Sequence, residues 1–357
     1  YLSVHSLFFC HVPYNKKTLF FPQQMNSQPI REKMSSRERF RQTMGYGTPD
    51  RVPYFEEGIR KDVLRAWRTQ GLAKDTDLAT LFPSDHRERI EVDLEPRPNL
   101  LARRDKITDL KKFSSRLNPS DKKRLPNRWP RRVRAWQSRE HVLMLYVHRG
   151  FFLTMGVRNW GAFTDVMMML VDQPDTVRKR MQIQGEFAAR LTDRILQEVQ
   201  VDAVVFSEPI GGNDRPLISP KMYEEFVLKN YEPILNVLRY HNVETVCFQT
   251  FANARIMIPG ILKWGFNCLW ACEVNIGAMD YRSLRKEFGR DLRLIGGIDL
   301  DALRKDKAAI RREIEEKVPP LIAEGGFIPL ADGRVRADVP FENYVYYRQL
   351  LEKVTKR

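Results

Sequence analysis

Two stretches in the C-terminal third constrain this chain more than any others: LRLIGGID, residues 292–299, and GGFIPLADG, residues 325–333. Each joins a glycine pair to a short apolar run, ends in an acidic residue and is followed by a helical pattern, which reads as a buried strand, an acid and a helix. Strand, acid, helix is the repeat of a (β/α) barrel, where a carboxylate at the C-terminal end of a strand faces the mouth. Asp299 and Asp332 are therefore the first residues to place in a pocket.

The rest of the chain fits the same plan. Runs rich in Val, Ile, Phe and Leu predict strands at 51–56, 90–95, 141–147, 202–207, 243–248, 266–271, 292–295 and 327–330. Helical periodicity separates most of them, at 177–199, 220–240, 280–288, 301–323 and 341–354. In 220–240, Tyr223, Phe226, Val227, Tyr231, Ile234, Leu235 and Leu238 recur at three- and four-residue spacing. Ser219 stands as its N-cap, and Pro220 occupies the first position, where its missing N–H costs nothing. The expectation is one α/β domain, a single (β/α)8 TIM barrel. Its weakest strand is the second, because 73–139 is long and poorly periodic.

At 357 residues the chain exceeds the roughly 250 of a typical barrel, which leaves room for decoration. The net charge is +15 and uneven: residues 103–139 hold 14 Lys/Arg against three Asp. This basic insertion reads as a solvated cover over one end of the barrel. With Trp129 and Trp136 it also has the ingredients of a nucleic-acid surface, but no nucleic-acid-binding motif accompanies it. A third reading turns some of these arginines toward a multi-carboxylate ligand. Residues 1–33 look foreign to the fold and are expected to be disordered, with Met25 or Met34 as natural starts. The domain is expected over 34–357. The apolar runs are too short for a signal peptide or a membrane span, so the expected location is the cytoplasm.

Cys247, Cys268 and Cys272 include a C-x3-C pair. They read either as small core residues or as zinc ligands; no His stands at ligand-like spacing to them, so the expectation is no metal.

Several segments resemble uroporphyrinogen decarboxylase-like proteins: RERFRQTMGYGTPDRVPYFE at 37–56, PLISPKMYEEFVLKNYEPIL at 216–235, LRLIGGID, and GGFIPLADGRVRADVPFENY at 325–344. The likeness spans most of 34–354 and is thinnest in the basic insertion. It implies a single barrel, often a homodimer, with a cleft at the C-terminal ends of the strands. It implies either a lyase that decarboxylates a tetrapyrrole without metal or organic cofactor, or a methyltransferase working with corrinoid proteins or thiols. Both signatures are altered here. After the first strand the decarboxylases carry an arginine-rich loop, whereas this chain has Glu56 and Glu57, with Arg60 as a substitute. The last strand ends in Asp332–Gly333 where relatives show Asp–His. The methyltransferases' zinc pattern, His-x-Cys after one strand, is replaced by VCFQTFAN at 246–253. A divergent enzyme and a non-catalytic ligand-binding barrel are both compatible with these departures.

The candidate catalytic groups are the strand-end carboxylates Glu208, Glu273 and Asp332. A carboxylate at such a place acts as general acid or base when burial raises its pKa. Arg60, His148, Arg149, Asn253, Asp299 and Arg334 are the candidate substrate contacts. Arginine offers a bidentate fork to a carboxylate, and histidine offers a tunable proton. Three of these have structural readings beside the functional one: Asn253 and Asp299 as helix caps, and His148 as a packed strand end. Arg334 either pairs with Asp332 or grips the substrate itself. Trp264 and Trp270 read as core or rim. The implied partners are a small-molecule substrate, a second copy of the chain and a corrinoid protein.

Overall fold

Among the described residues, seven parallel strands form one sheet in sequential order, each pairing with the next in the chain. They are β1 Arg87–Glu91, β2 Val142–His148, β3 Ala203–Ser207, β4 Val246–Phe251, β5 Cys268–Cys272, β6 Arg293–Ile298 and β7 Phe327–Ala331. The computed structural model describes residues 34–98, 108–212, 214–272, 279–331 and 333–356. The expectation for residues 1–33 lies outside the described residues. Among those described, no helix is long and apolar enough to cross a membrane.

Side-chain alternation divides the sheet into two faces. One carries Val142, Met144, Ala203, Val205, Cys247, Cys268, Trp270, Ile295, Ile328 and Leu330, which pack with Phe40, Met44 and Phe55 into an inner cluster. The other carries Leu143, Leu145, Val204, Phe206, Phe248, Leu269 and Leu294, which pack against the helices. An apolar interior behind a sequential parallel sheet, wrapped by helices, is TIM-barrel construction.

The expected strand at 51–56 forms no ladder. Its backbone makes one isolated antiparallel bridge, Arg51 to Lys356. Pro53 has no N–H to contribute, and an aspartate takes the place of a neighbouring strand: Tyr54 N–H donates to Asp85 Oδ2 at 2.7 Å, and Asp85 N–H donates to the Tyr54 carbonyl at 2.7 Å. The run nevertheless contributes Phe55 to the inner cluster, stacked on Phe40 at 6.0 Å. The first ladder strand also starts earlier than expected, at Arg87 rather than at 90, because its inward positions are charged and do not read as a buried strand.

The helices follow the periodicity closely. Ser219 accepts the Met222 N–H as the N-cap. The 220–240 helix contains a π-helical turn, Glu224–Leu228, flanked by Tyr223 and Tyr231. In an unbroken α-helix, residues eight apart differ in direction by roughly 80°. The wider turn brings both tyrosines onto one carboxylate. The expected 301–323 helix is two, Leu300–Arg304 and Lys307–Glu324, with Asp306 capping the second.

Both glycine pairs admit a tyrosine ring. Gly297, at φ +83°, lies where a Cβ would come within 2.5 Å of the Tyr281 ring, and Gly326, at φ +63°, meets the Tyr46 ring the same way. Tyr281 also donates from its hydroxyl to the Ile295 carbonyl at 2.7 Å. The pairs are therefore sockets in the framework.

Candidate functional site at the C-terminal ends of the strands

A cavity of about 730 Å³ opens where β1 to β5 end. Its wall includes Glu91, Tyr146, Ser207, Gln249, Phe251 and Cys272 from the strands, and Glu57, Arg60, Arg149, Gly333, Arg334 and Arg336 from the loops beyond them. Among the described residues the lining carries five arginines, with Arg89 the fifth, and two glutamates. The cavity lies at the C-terminal ends of the strands, and its field favours an anion.

The arginines differ in how far they are already committed. Arg149 donates to Glu95 at 2.8 Å, and Arg158 donates to the same oxygen, also at 2.8 Å. Arg60 lies 3.4 Å from Asp62, both well exposed. Arg334 makes no hydrogen bond or ion pair among the described residues. Arg89 is held lower in the cavity, where it and Arg87 clamp Glu57 from both sides at 2.6 and 2.5 Å. Burial alone would raise the Glu57 carboxyl, but the two guanidinium groups reverse this and hold it below the ordinary glutamate value. Tyr146 lies against Arg89, 5.2 Å from ring to guanidinium carbon, and its buried hydroxyl has no hydrogen-bond partner among the described residues. Burial pushes this phenol up to about 12, so it remains a proton-bearing donor.

Of the sequence candidates, Arg60, Arg149 and Arg334 line the cavity. Glu273 and Asp332 lie outside the described residues; Cys272 and Gly333, their neighbours in sequence, are in the lining.

Four other candidates do not line it. Glu208 follows β3 on the outward phase, behind Ser207, and is 0% exposed. Its Oε1 accepts the Phe151 N–H at 2.9 Å, and its Oε2 accepts hydroxyls from Tyr231 at 2.6 Å and Tyr223 at 3.2 Å. Burial raises its carboxyl to about 7, and these three donors limit the rise. Strict alternation would place His148 on the face that carries Val142, Met144 and Tyr146. An irregularity in the β2–β3 register between Tyr146 and His148 shifts the phase by one, and the ring turns to the helix side. There it packs on Tyr231, with ring centroids 4.5 Å apart, and its Nδ1 accepts the Gly150 N–H at 3.0 Å. Burial drives its pKa down to about 3, so it is neutral, with the proton on Nε2. Asn253 staples a loop: its amide donates to the Asp214 carbonyl at 2.7 Å, and its Oδ1 accepts the Arg255 N–H at 3.1 Å. Asp299 caps Leu300–Arg304 by accepting the Asp301 N–H at 2.9 Å.

Sequence reading passed over Arg89, Tyr146, Gln249 and Arg336. The signal for the first was present in RERIE, whose alternation places Arg87, Arg89 and Glu91 on one face, but an arginine pair inside a barrel runs against the expectation of an apolar interior. The basic insertion is partly structural. Trp129 and Trp136 pack edge to face at 5.5 Å, and their indole N–H groups donate to Glu198 at 3.0 Å and Glu88 at 2.8 Å. Rings held this way offer no free stacking platform.

Cys247 and Cys268 pair in register inside the sheet and are fully buried. Their mutual hydrogen bond and burial raise the Cys247 thiol well above its ordinary value. Cys272 alone lies at the cavity. A zinc-activated thiol site needs three or more ligands together, and among the described residues no such group of His, Cys, Asp and Glu occurs. The described residues therefore do not fit the methyltransferases' metal.

With this geometry in place, the family model for uroporphyrinogen decarboxylase (URO-D) matches residues 156–344, more than half of the chain. The chain belongs to that family. Among solved structures it is similar to a methyltransferase from Methanosarcina mazei, with a TM-score of 0.55 and 14% identity, over 90% of this chain and 99% of that one. At that identity the likeness establishes the fold. Xylanase B from Clostridium stercorarium F9 also aligns, over 84% of this chain and 88% of that one, at 11% identity and a TM-score of 0.42. That level carries no argument. No curated protein matches the chain.

Proposed function

We propose that this member of the uroporphyrinogen decarboxylase family is an enzyme that binds a carboxylate-bearing small molecule in the arginine-lined mouth. The observation that carries the reading is the imbalance of charge in the cavity, concentrated in Arg334, which has no partner among the described residues. Arg334 and Arg149 would grip the anionic end of the substrate, and the neutral Tyr146 hydroxyl would donate to an oxygen deeper in the cavity. Asp332 and Glu273 remain the proposed acid–base groups, each next in sequence to a cavity-lining residue. On this reading the extended run with Phe55 serves as the eighth stave of the barrel, and residues 34–357 are the catalytic domain.

Decarboxylation or a related lyase reaction on a tetrapyrrole-related acid is the first chemistry to test. Glu57 occupies Arg89, and Glu95 occupies Arg149, so the cavity is a poor cup for a substrate with carboxylates on every side. The purified protein is expected not to turn over uroporphyrinogen at a rate comparable to a haem-pathway decarboxylase. Methyl transfer, with a corrinoid protein as partner, is the second reading; the Methanosarcina methyltransferase fold and Cys272 at the cavity favour it. Elemental analysis showing one zinc per chain, lost in Cys272→Ser, would move the second reading to first place. The direct test of the shared claim is equilibrium dialysis against a metabolite extract with mass-spectrometric detection. Retained compounds should carry carboxylates and be lost in Arg334→Met. Retention of neutral compounds by both proteins would overturn the reading.

A further inference from the structure

Below the rim arginines, several inward-facing hydrogen-bond donors have no acceptor among the described residues. Tyr146 Oη, Arg87 Nη1 and Trp270 Nε1 are buried without a partner there. The Gln249 side chain lines the cavity, is 8% exposed and makes no hydrogen bond among the described residues. Tyr146 and Gln249 line the cavity, and the buried Trp270 and Arg87 side chains adjoin them outside its lining. Gln249 and Trp270 are register partners across β4 and β5, and the Arg87 guanidinium lies 4.8 Å from the Trp270 ring. Arg87 and Arg89 both act electrostatically on the Tyr146 hydroxyl, which links the β1 and β2 walls to the same place.

Burying such groups unpaired costs free energy, and a folded barrel rarely leaves several together without a ligand to meet them. The chemistry of the set narrows the ligand. An indole N–H and a guanidinium N–H only donate, and phenol and amide supply two more donors. A water molecule accepts two hydrogen bonds, whereas a carboxylate has about four acceptor positions. Charge narrows it further. Arg87, Arg89 and Glu57 leave one positive charge at the floor, which matches a singly charged carboxylate better than a doubly charged phosphate.

We propose that the floor of the cavity is a second carboxylate subsite, lined by Tyr146 and Gln249 and backed by the buried Trp270 and Arg87 beside them, with Glu57 limiting it to one negative charge. This rests on the rim reading given above and extends it: the substrate spans the cavity as a dicarboxylate, one end on Arg334 and Arg149 and the other on the floor. Tyr146, Gln249, Trp270 and Arg87 are then specificity-determining residues.

Binding of glutarate and butyrate, two acids of similar length with two carboxylates and one, tests this by calorimetry or ligand-observed NMR. Glutarate should bind the wild-type protein at least about tenfold more tightly than butyrate. Tyr146→Phe and Trp270→Phe keep the aromatic packing and remove one donor each; both should weaken glutarate and leave butyrate unchanged. Arg334→Met should weaken both acids alike, because it acts at the rim. Equal binding of the two acids to the wild type, or Phe variants that weaken butyrate as much as glutarate, would overturn the floor subsite while leaving the rim intact. Binding of neither acid, or no response to Arg334→Met, would instead overturn the rim reading and this inference with it. A melting curve for each variant identifies loss by unfolding, and the wild-type comparison decides without any variant.

Discussion

Glu57 and Glu208 are both carboxylates at the mouth end of the barrel, a few residues beyond a buried run, and the fold treats them in opposite ways. Glu57 faces inward between Arg87 and Arg89, which hold its pKa below the ordinary glutamate value. Glu208 faces outward among two tyrosine hydroxyls and one N–H, with no cation in contact among the described residues, and rises to about 7. Desolvation is the largest influence on each; the difference lies in whether charged or neutral donors oppose it. A strand-end acid in a sequence thus identifies a position, and the phase of the strand decides its chemistry.

The largest effect expected from this contrast is on stability. Glu57→Ala leaves two arginines facing each other without their shared counter-charge, at a cost of about 3–5 kcal/mol, the range for breaking a buried pair. Thermal denaturation should show a fall in Tm of several degrees or more. A loss below about 1 kcal/mol would mean that solvent in the cavity already screens the pair.

Glu208 should act through pH instead. Its folded pKa lies above the unfolded value, so the native state holds the proton between about pH 4.5 and 7 after the unfolded chain has released it. Stability then falls as pH rises through that window, by something on the order of 3 kcal/mol. Glu208→Gln should flatten this decline and be no less stable than wild type at pH 8. A variant with an unchanged pH profile would show that the carboxyl titrates in its ordinary range. Glu57 has the reverse sign: its contribution is present above about pH 4.5 and is lost on further acidification.

A smaller effect on stability is expected at Asp332. Asp332→Asn should leave Tm nearly unchanged while weakening ligand binding or turnover. A drop in stability of about 1–2 kcal/mol with binding intact would make it a structural acid of the Glu208 kind.

Much of the fold was legible in the sequence because period-two and helical patterns are strong where a barrel buries apolar surface. Strands β2 to β7 and most helices lie within a few residues of their expected places. Two features broke the pattern. The run at 51–56 has the composition of a strand, but Asp85 satisfies its backbone. The RERIE strand has the alternation of a strand but charges on its inner face. The site was legible only in part. Arg60, Arg149 and Arg334 lie on loops that must emerge at the mouth, whereas His148 depended on a local irregularity in β2 that its sequence does not announce. The glycine pairs mark the barrel framework, since Tyr46 and Tyr281 use them as sockets.

The central claim is that the cavity recognises a carboxylate through its rim arginines, Arg334 and the Glu95-paired Arg149. Its most direct test is the affinity of glutarate for wild-type protein and for the double variant Arg149→Met/Arg334→Met, measured at low and high salt. The account predicts binding by the wild type that weakens with salt, and loss of at least about tenfold in the double variant with Tm preserved. Affinity that is equal in the two proteins and indifferent to salt would contradict it.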